Sequence, residues 1–165
     1  MFVLGIDPGV SRCGYSVIER AGPRTRAVAI GVLRTSPSTP LPQRLAELAG
    51  EISLLFDEFQ PDALAIERVL FQVNVRTAMS VGQVAGLCMV EAARRDIAVV
   101  EYSPNQVKDA VVGYGAATKE QVQRMVQAQL GLTERPRPAD AADALALALC
   151  HLASAPLRAA LGRST

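Results

Sequence analysis

Asp7, Glu67, Asp140 and Asp143 stand where folding alone rarely puts a charged side chain. The first two close apolar, strand-like runs, and the other two open an apolar helical stretch. Clustered carboxylates repel one another unless a cation lies between them. A donor set of oxygens, without His or Cys, suits Mg²⁺ or Mn²⁺, and two such ions about 3.5–4 Å apart can activate water and stabilise a leaving oxygen. Together the four acids outline metal-dependent phosphoryl transfer. Singly, each has a plainer reading: Asp7-Pro8-Gly9 as a turn, Glu67 as a strand-terminal surface acid, Asp140 as an N-cap, and Asp143 as a first-turn acid favoured by the helix dipole.

Acids this far apart in the chain must be brought together by its elements. Residues 2–7 form a short apolar run closed by Pro8-Gly9, and residues 13–19 and 26–33 follow with Gly22-Pro23 between them, so an antiparallel meander is expected. Leu45, Leu48, Ile52, Leu55, Phe56 and Phe59 then recur at helical spacing and stop before Pro61. The apolar run 63–67 is too short for a helix and reads as a strand buried on both faces, parallel to the first through a helical crossover. Asp7 and Glu67 would then end adjacent parallel strands, where open α/β sheets place their ligands. Residues 77–95 predict a second long helix and 97–102 a fifth strand. Ser103-Pro104 opens a further helix, and Thr118-Lys119-Glu120-Gln121 matches a capping box for one that Gly131 stops. A last helix is expected from Asp140 to about Ser154, with Asp140 and Asp143 on one face, about 5–6 Å apart at their β-carbons. The expected class is α/β, a five-stranded mixed sheet flanked by helices, in a single domain over 1–154 with a flexible tail over 155–165.

The chain of 165 residues is half apolar and carries a net charge of +1, which does not match a uniformly basic nucleic-acid binder. Charge is segregated locally instead: from Ser103 onward, Lys108, Lys119, Arg124, Arg135 and Arg137 face only Asp109, Glu120 and Glu134 once the four site acids are set aside. No basic and apolar leader precedes the first strand, and the longest apolar stretch, 144–153, is interrupted by His151 and falls short of the ~20 residues of a membrane span. A soluble, cytoplasmic protein without membrane contact is expected. Cys13, Cys88 and Cys150 lack metal-ligand spacing and read as reduced core thiols. His151, Tyr102 and Tyr114 read as structural. In the second long helix Met79, Val81, Val84, Leu87, Cys88 and Val90 cover more than one face, and Gly82 and Gly86 would admit a close neighbour. That neighbour is either another part of this chain or another subunit.

Gly5-Ile6-Asp7-Pro8-Gly9, Ala65-Ile66-Glu67, Gln106-Val107-Lys108 with Val112-Gly113, and Ala139-Asp140-Ala141-Ala142-Asp143-Ala144-Leu145 resemble, in order and over nearly the whole chain, the RuvC family of bacterial Holliday junction resolvases. The resemblance implies a ribonuclease H-like fold and a homodimer that nicks two like-polarity strands of a four-way DNA junction. It implies phosphodiester hydrolysis by in-line attack of a metal-activated water, leaving a 5′-phosphate and a 3′-hydroxyl. It assigns Asp7, Glu67, Asp140 and Asp143 to Mg²⁺ or Mn²⁺, two ions per site. Lys119 is assigned to the scissile phosphate and Lys108 to DNA, and the branch-migration proteins RuvA and RuvB become expected partners. Many relatives carry an aromatic three residues after the matching glutamate. Here that position is Leu70 and the aromatic is Phe71, so either could enter the junction. Arg76, and more weakly Arg68 and Arg124, are further candidates for phosphate contacts. A ribonuclease H-like RNA-processing nuclease, a non-catalytic junction-binding protein and a sugar-kinase-like ATPase are the competing readings. Against the last, this chain is short and has no second glycine-rich phosphate loop after its later strands, where such enzymes need one.

Overall fold

The computed structural model describes residues 1–69 and 75–161. Strand β1 (Phe2–Asp7) is the centre of a five-stranded sheet ordered β3-β2-β1-β4-β5. On one side β2 (Arg12–Ala21) and β3 (Arg24–Arg34) continue it as an antiparallel meander. On the other, β4 (Ala63–Glu67) and β5 (Ala98–Tyr102) run parallel to it, reached through helices α1 (Leu41–Phe59) and α2 (Val75–Ala93). Helices α3 (Pro104–Val112), α4 (Lys119–Leu130) and α5 (Ala139–Leu161) complete the order. The α/β class and mixed five-stranded sheet agree with the expectation from sequence.

Element boundaries depart from that expectation where pairing or capping, rather than periodicity, decides them. β2 and β3 are longer than their apolar cores because the ladder runs on through polar pairs, from Arg12 opposite Arg34 to Ala21 opposite Arg24. α2 ends at Ala93 because the Ile97 amide turns back to the Ala92 carbonyl at 3.0 Å, with Asp96 at φ 55°. α5 continues through Leu161, beyond Ser154, in a stretch rich in alanine, the strongest helix former.

Alternation along the strands separates two cores. Leu4 and Ile6 of β1, with Leu64 and Ile66 of β4, pack against Leu48, Ile52 and Phe56 of α1 and Val84 and Cys88 of α2. Val3, Ile18 and Ala65 face the other way, towards Val107, Val126, Leu145 and Ala148 of α3 to α5. By the same alternation Gly5 and Asp7 share the α5 face with Val3, and Glu67 shares it with Ala65. All three cysteines are buried, as expected of core residues.

Ser16, opposite Gly5 in the ladder, is wholly buried, and its Oγ has no hydrogen-bond partner among the described residues. An unsatisfied buried hydroxyl is destabilising. Ser16→Ala should therefore raise the unfolding free energy by about 1 kcal/mol, read as a higher urea midpoint at unchanged slope; a lower midpoint would mean that the hydroxyl is bonded.

Candidate active site

Strand register sets the first half of the site. Ile6 pairs with Ile66 across the parallel β1–β4 ladder, so Asp7 and Glu67 leave the sheet side by side at its C-terminal edge and on the same face. Helix α5 supplies the second half by lying unusually close to the sheet. A β-carbon added at Gly14 would collide with the backbone carbonyl of Asp140, and one at Gly5 with that of Ala144. Gly14 is the ladder partner of Asp7. The first turn of α5, with Asp140 and Asp143, is thereby pressed down beside Asp7. A glycine inside a strand often marks such close backbone approach.

The electrostatics record how near the four acids stand. Burial, followed by repulsion from Glu67, Asp143 and Asp140, pushes the Asp7 carboxyl up to about 7. Glu67 is raised too, by burial first and then by Asp143, against the opposing pull of Lys119 and of a hydrogen bond with Asp7. Lys119 Nζ donates to Asp143 Oδ2 at 2.6 Å. Its partial burial works against the ammonium, but this bond and the fields of Asp143, Asp7 and Asp140 outweigh that and raise its pKa. The lysine is fixed by its helix start. Thr118 caps α4, its Oγ1 accepting from the Gln121 amide while Gln121 Oε1 accepts from the Thr118 amide, so Lys119 becomes the first helical residue. The helix dipole disfavours a cation there, and Asp143 offsets that.

As they stand, no three acids of the described residues form a ready-made cation cage. Asp143 leans to Lys119, and Asp140 Oδ2 accepts from Arg12 Nε at 2.7 Å and lies 2.5 Å from Nη2. The donor chemistry nonetheless fits a hard divalent ion: oxygens only, with burial first and then the charge of the neighbouring acids raising the Asp7 carboxyl to about 7 against the pull of Lys119.

A groove of about 270 Å³ opens from these acids, lined by Glu67, Asp143, Lys119 and Lys108 over Pro104, Val107, Val122, Ala146 and Leu147. Both lysines singled out from sequence thus meet two of the four acids. Arg76 lies in the first turn of α2, but its side chain falls outside the described residues, as do Leu70 and Phe71 entirely. Tyr102 and His151 are buried, with the Tyr102 hydroxyl 3.1 Å from His151 Nδ1, in keeping with structural roles. Cys13, beside the site, has its thiol pushed up to about 12 by burial and then by Asp7 and Asp140, which leaves it inert as a nucleophile. Sequence reasoning missed Arg12 and the two glycines under α5. Gly5 and Gly14 each sit inside a strand, where a glycine often marks close backbone approach, but nothing local identifies α5 as the element above them.

Fold and acid cluster together define the class as a ribonuclease H-like nuclease. The family model for "Crossover junction endodeoxyribonuclease RuvC" matches residues 3–151. A protein of that name from Moorella thermoacetica is 47% identical over 158 residues, 96% of this chain and 95% of that one. One from Frankia alni is 51% identical over 162 residues, covering 98% of this chain and 82% of the relative. The structure of Thermus thermophilus RuvC in complex with a Holliday junction substrate superposes with a TM-score of 0.90 at 37% identity, over 96% of each chain. The chain belongs to the RuvC family of crossover junction endodeoxyribonucleases.

Proposed function

We propose that this protein resolves four-way DNA junctions by paired, symmetric nicks, with 1–154 acting as one nuclease domain and Asp7, Glu67, Asp140 and Asp143 holding Mg²⁺ or Mn²⁺, two ions per site. The observation that carries this reading is the convergence of all four acids, from two strands and one helix, at one edge of the sheet. Bound divalent cations supply a water of lowered pKa and neutralise charge on the phosphate. Asp7 and Glu67 set the floor of the site, Asp140 and Asp143 its wall, and the electrostatic deficit among them is what a cation would relieve. Lys119 sits where its ammonium can offset charge developing on a phosphoryl oxygen. Lys108, along the same groove, grips the DNA backbone as a sequence-independent contact. Hydrolysis leaves a 5′-phosphate and a 3′-hydroxyl.

The active form is a homodimer. On α2, Val75, Met79 and Val90 are 64%, 59% and 47% exposed, and among the described residues no other element lies within 4 Å of where β-carbons at Gly82 and Gly86 would be. That stripe is open in the single chain and suits a second copy, whose twofold relation matches the pseudo-twofold symmetry of a junction. Leu70 or Phe71, after Glu67, enters the junction centre, with Arg76 contacting phosphate. RuvA and RuvB are the partners the family resemblance implies. The protein's action on DNA is placed in the cytoplasm, as the family resemblance implies; no described helix is long and apolar enough to cross a membrane.

A labelled four-way junction, a linear duplex and an RNA–DNA hybrid, each incubated with Mg²⁺, Mn²⁺ or Ca²⁺, test this reading. Paired nicks at symmetric positions are expected in the junction alone. Preferential cutting of the hybrid would transfer the activity to RNA processing, and binding without cleavage in every metal would overturn the enzymatic reading.

A further inference from the structure

Arg12 is the basic group at this site for which the family motifs give no role. Its guanidinium makes two contacts, and both converge on one oxygen of Asp140: Nε at 2.7 Å and Nη2 at 2.5 Å from Oδ2. Oδ1 accepts no hydrogen bond from Arg12. Lys119 holds one oxygen of Asp143 in the same manner. Each acid of α5 is therefore held through a single oxygen by a cation from a different element.

The segment bearing Arg12 is itself braced. Thr35 Oγ1 donates to the Val10 carbonyl at 2.6 Å, Arg44 Nη2 donates to Ser11 Oγ at 2.5 Å, and Arg44 Nε donates to Thr35 Oγ1 at 2.8 Å. These bonds tie the approach to β2 to the end of β3 and to α1. In the ladder Arg12 stands opposite Arg34, an unfavourable like-charge pair. The Asp140 contact compensates for the charge on Arg12, which ties its placement to this carboxylate.

We infer that Arg12 is a positioning residue for the cation site, locking the Asp140 carboxylate through Oδ2 so that its other oxygen is presented to the metal. This rests on the proposed metal role of the four acids. Groups that orient a ligand from behind typically change metal affinity by about 10–100-fold when removed. The opposite possibility is that Arg12 only competes with the cation for Asp140, and its removal would then tighten binding.

Calorimetric titration of DNA-free protein with Mn²⁺ separates the two, alongside the Mn²⁺ concentration giving half-maximal junction nicking. Arg12→Ala should weaken Mn²⁺ binding about 10–100-fold and raise the half-maximal concentration in step. Much of the rate should return at saturating Mn²⁺. Arg12→Lys, which restores the charge but not the two-nitrogen grip, should recover only part of the affinity. Thermal unfolding in chelator should change little, because the ion pair is half-exposed. An Arg12→Ala protein with unchanged or tighter Mn²⁺ dependence in both measurements would overturn the inference. A wild-type protein that neither binds Mn²⁺ nor needs a divalent ion to nick would instead remove the metal reading beneath it.

Discussion

Asp7→Asn is expected to abolish junction nicking, by at least about a thousandfold, while making the metal-free protein more stable. The activity loss corresponds to about 4 kcal/mol of transition-state stabilisation, within the range a metal site supplies. The stability gain follows from the same carboxylate. In the fold its pKa stands at about 7 instead of the usual 3.8, so the native state favours the neutral acid. Between about pH 4 and pH 7 the native protein holds a proton that the unfolded chain has released, and stability in chelator must fall as pH rises through that window, then level off. The shift corresponds to at most about 4 kcal/mol, and solvent screening at the open rim of the site reduces it to about 1–3 kcal/mol. Asparagine carries no charge and should remove most of this pH dependence. Urea unfolding in EDTA at pH 5 and pH 8 measures it directly. Wild type should be less stable at pH 8, the variant nearly level and above wild type there, and Mn²⁺ should restore wild type far more than the variant. Equal wild-type stability at both pH values would show that the four acids do not strain the metal-free fold.

Much of this arrangement was legible because it rests on local rules. Asp7 and Glu67 close short apolar runs, and period-two alternation fixes their common face once β1 and β4 are paired in parallel. Asp140 and Asp143 share a face by helical spacing, and the Thr118–Gln121 capping box announced the turn that holds Lys119. The rest depends on contacts between distant segments. Arg12 and Asp140 are 128 residues apart in sequence, and nothing local marks an exposed arginine as the partner of a particular acid. The extent of β2 and β3 was set by ladder pairing through polar residues, which hydrophobic periodicity does not see. The depth at which α5 sits was written in Gly5 and Gly14, yet each reads as an ordinary strand glycine until the helix above it is known. Leu70 and Phe71, just beyond Val69, lie outside the described part of the chain.

Those two glycines determine whether the acids can meet at all, and Gly14→Ala isolates their contribution. The added β-carbon would meet the carbonyl oxygen and carbon of Asp140 as well as its side-chain β-carbon at 3.0 Å. Backbone atoms cannot rotate aside as a flexible side chain can, so α5 must lift or tilt. Overpacking of this kind costs about 1–3 kcal/mol, occasionally more, and the upper end is expected here because the opposing group is main chain. A displacement of about 1 Å at a reacting site can lower rate about a hundredfold, so the fraction that still folds should nick junctions about a hundredfold more slowly. Gly82→Ala provides the contrast. Among the described residues its β-carbon would meet no other element within 4 Å, and alanine is favoured over glycine in a helix by about 0.8–1.0 kcal/mol. A single chain should therefore gain stability from that change, whereas the proposed dimer would lose close approach along α2. Chemical unfolding and sedimentation of both variants give the comparison. If Gly14→Ala matched wild type in stability and nicking, α5 could not be resting on the β2 backbone, and Asp140 would have to reach the site by another route. A loss confined to Gly14→Ala would place the assembly of the active site in the sheet–helix contact itself, with two absent side chains bringing four charged ones together.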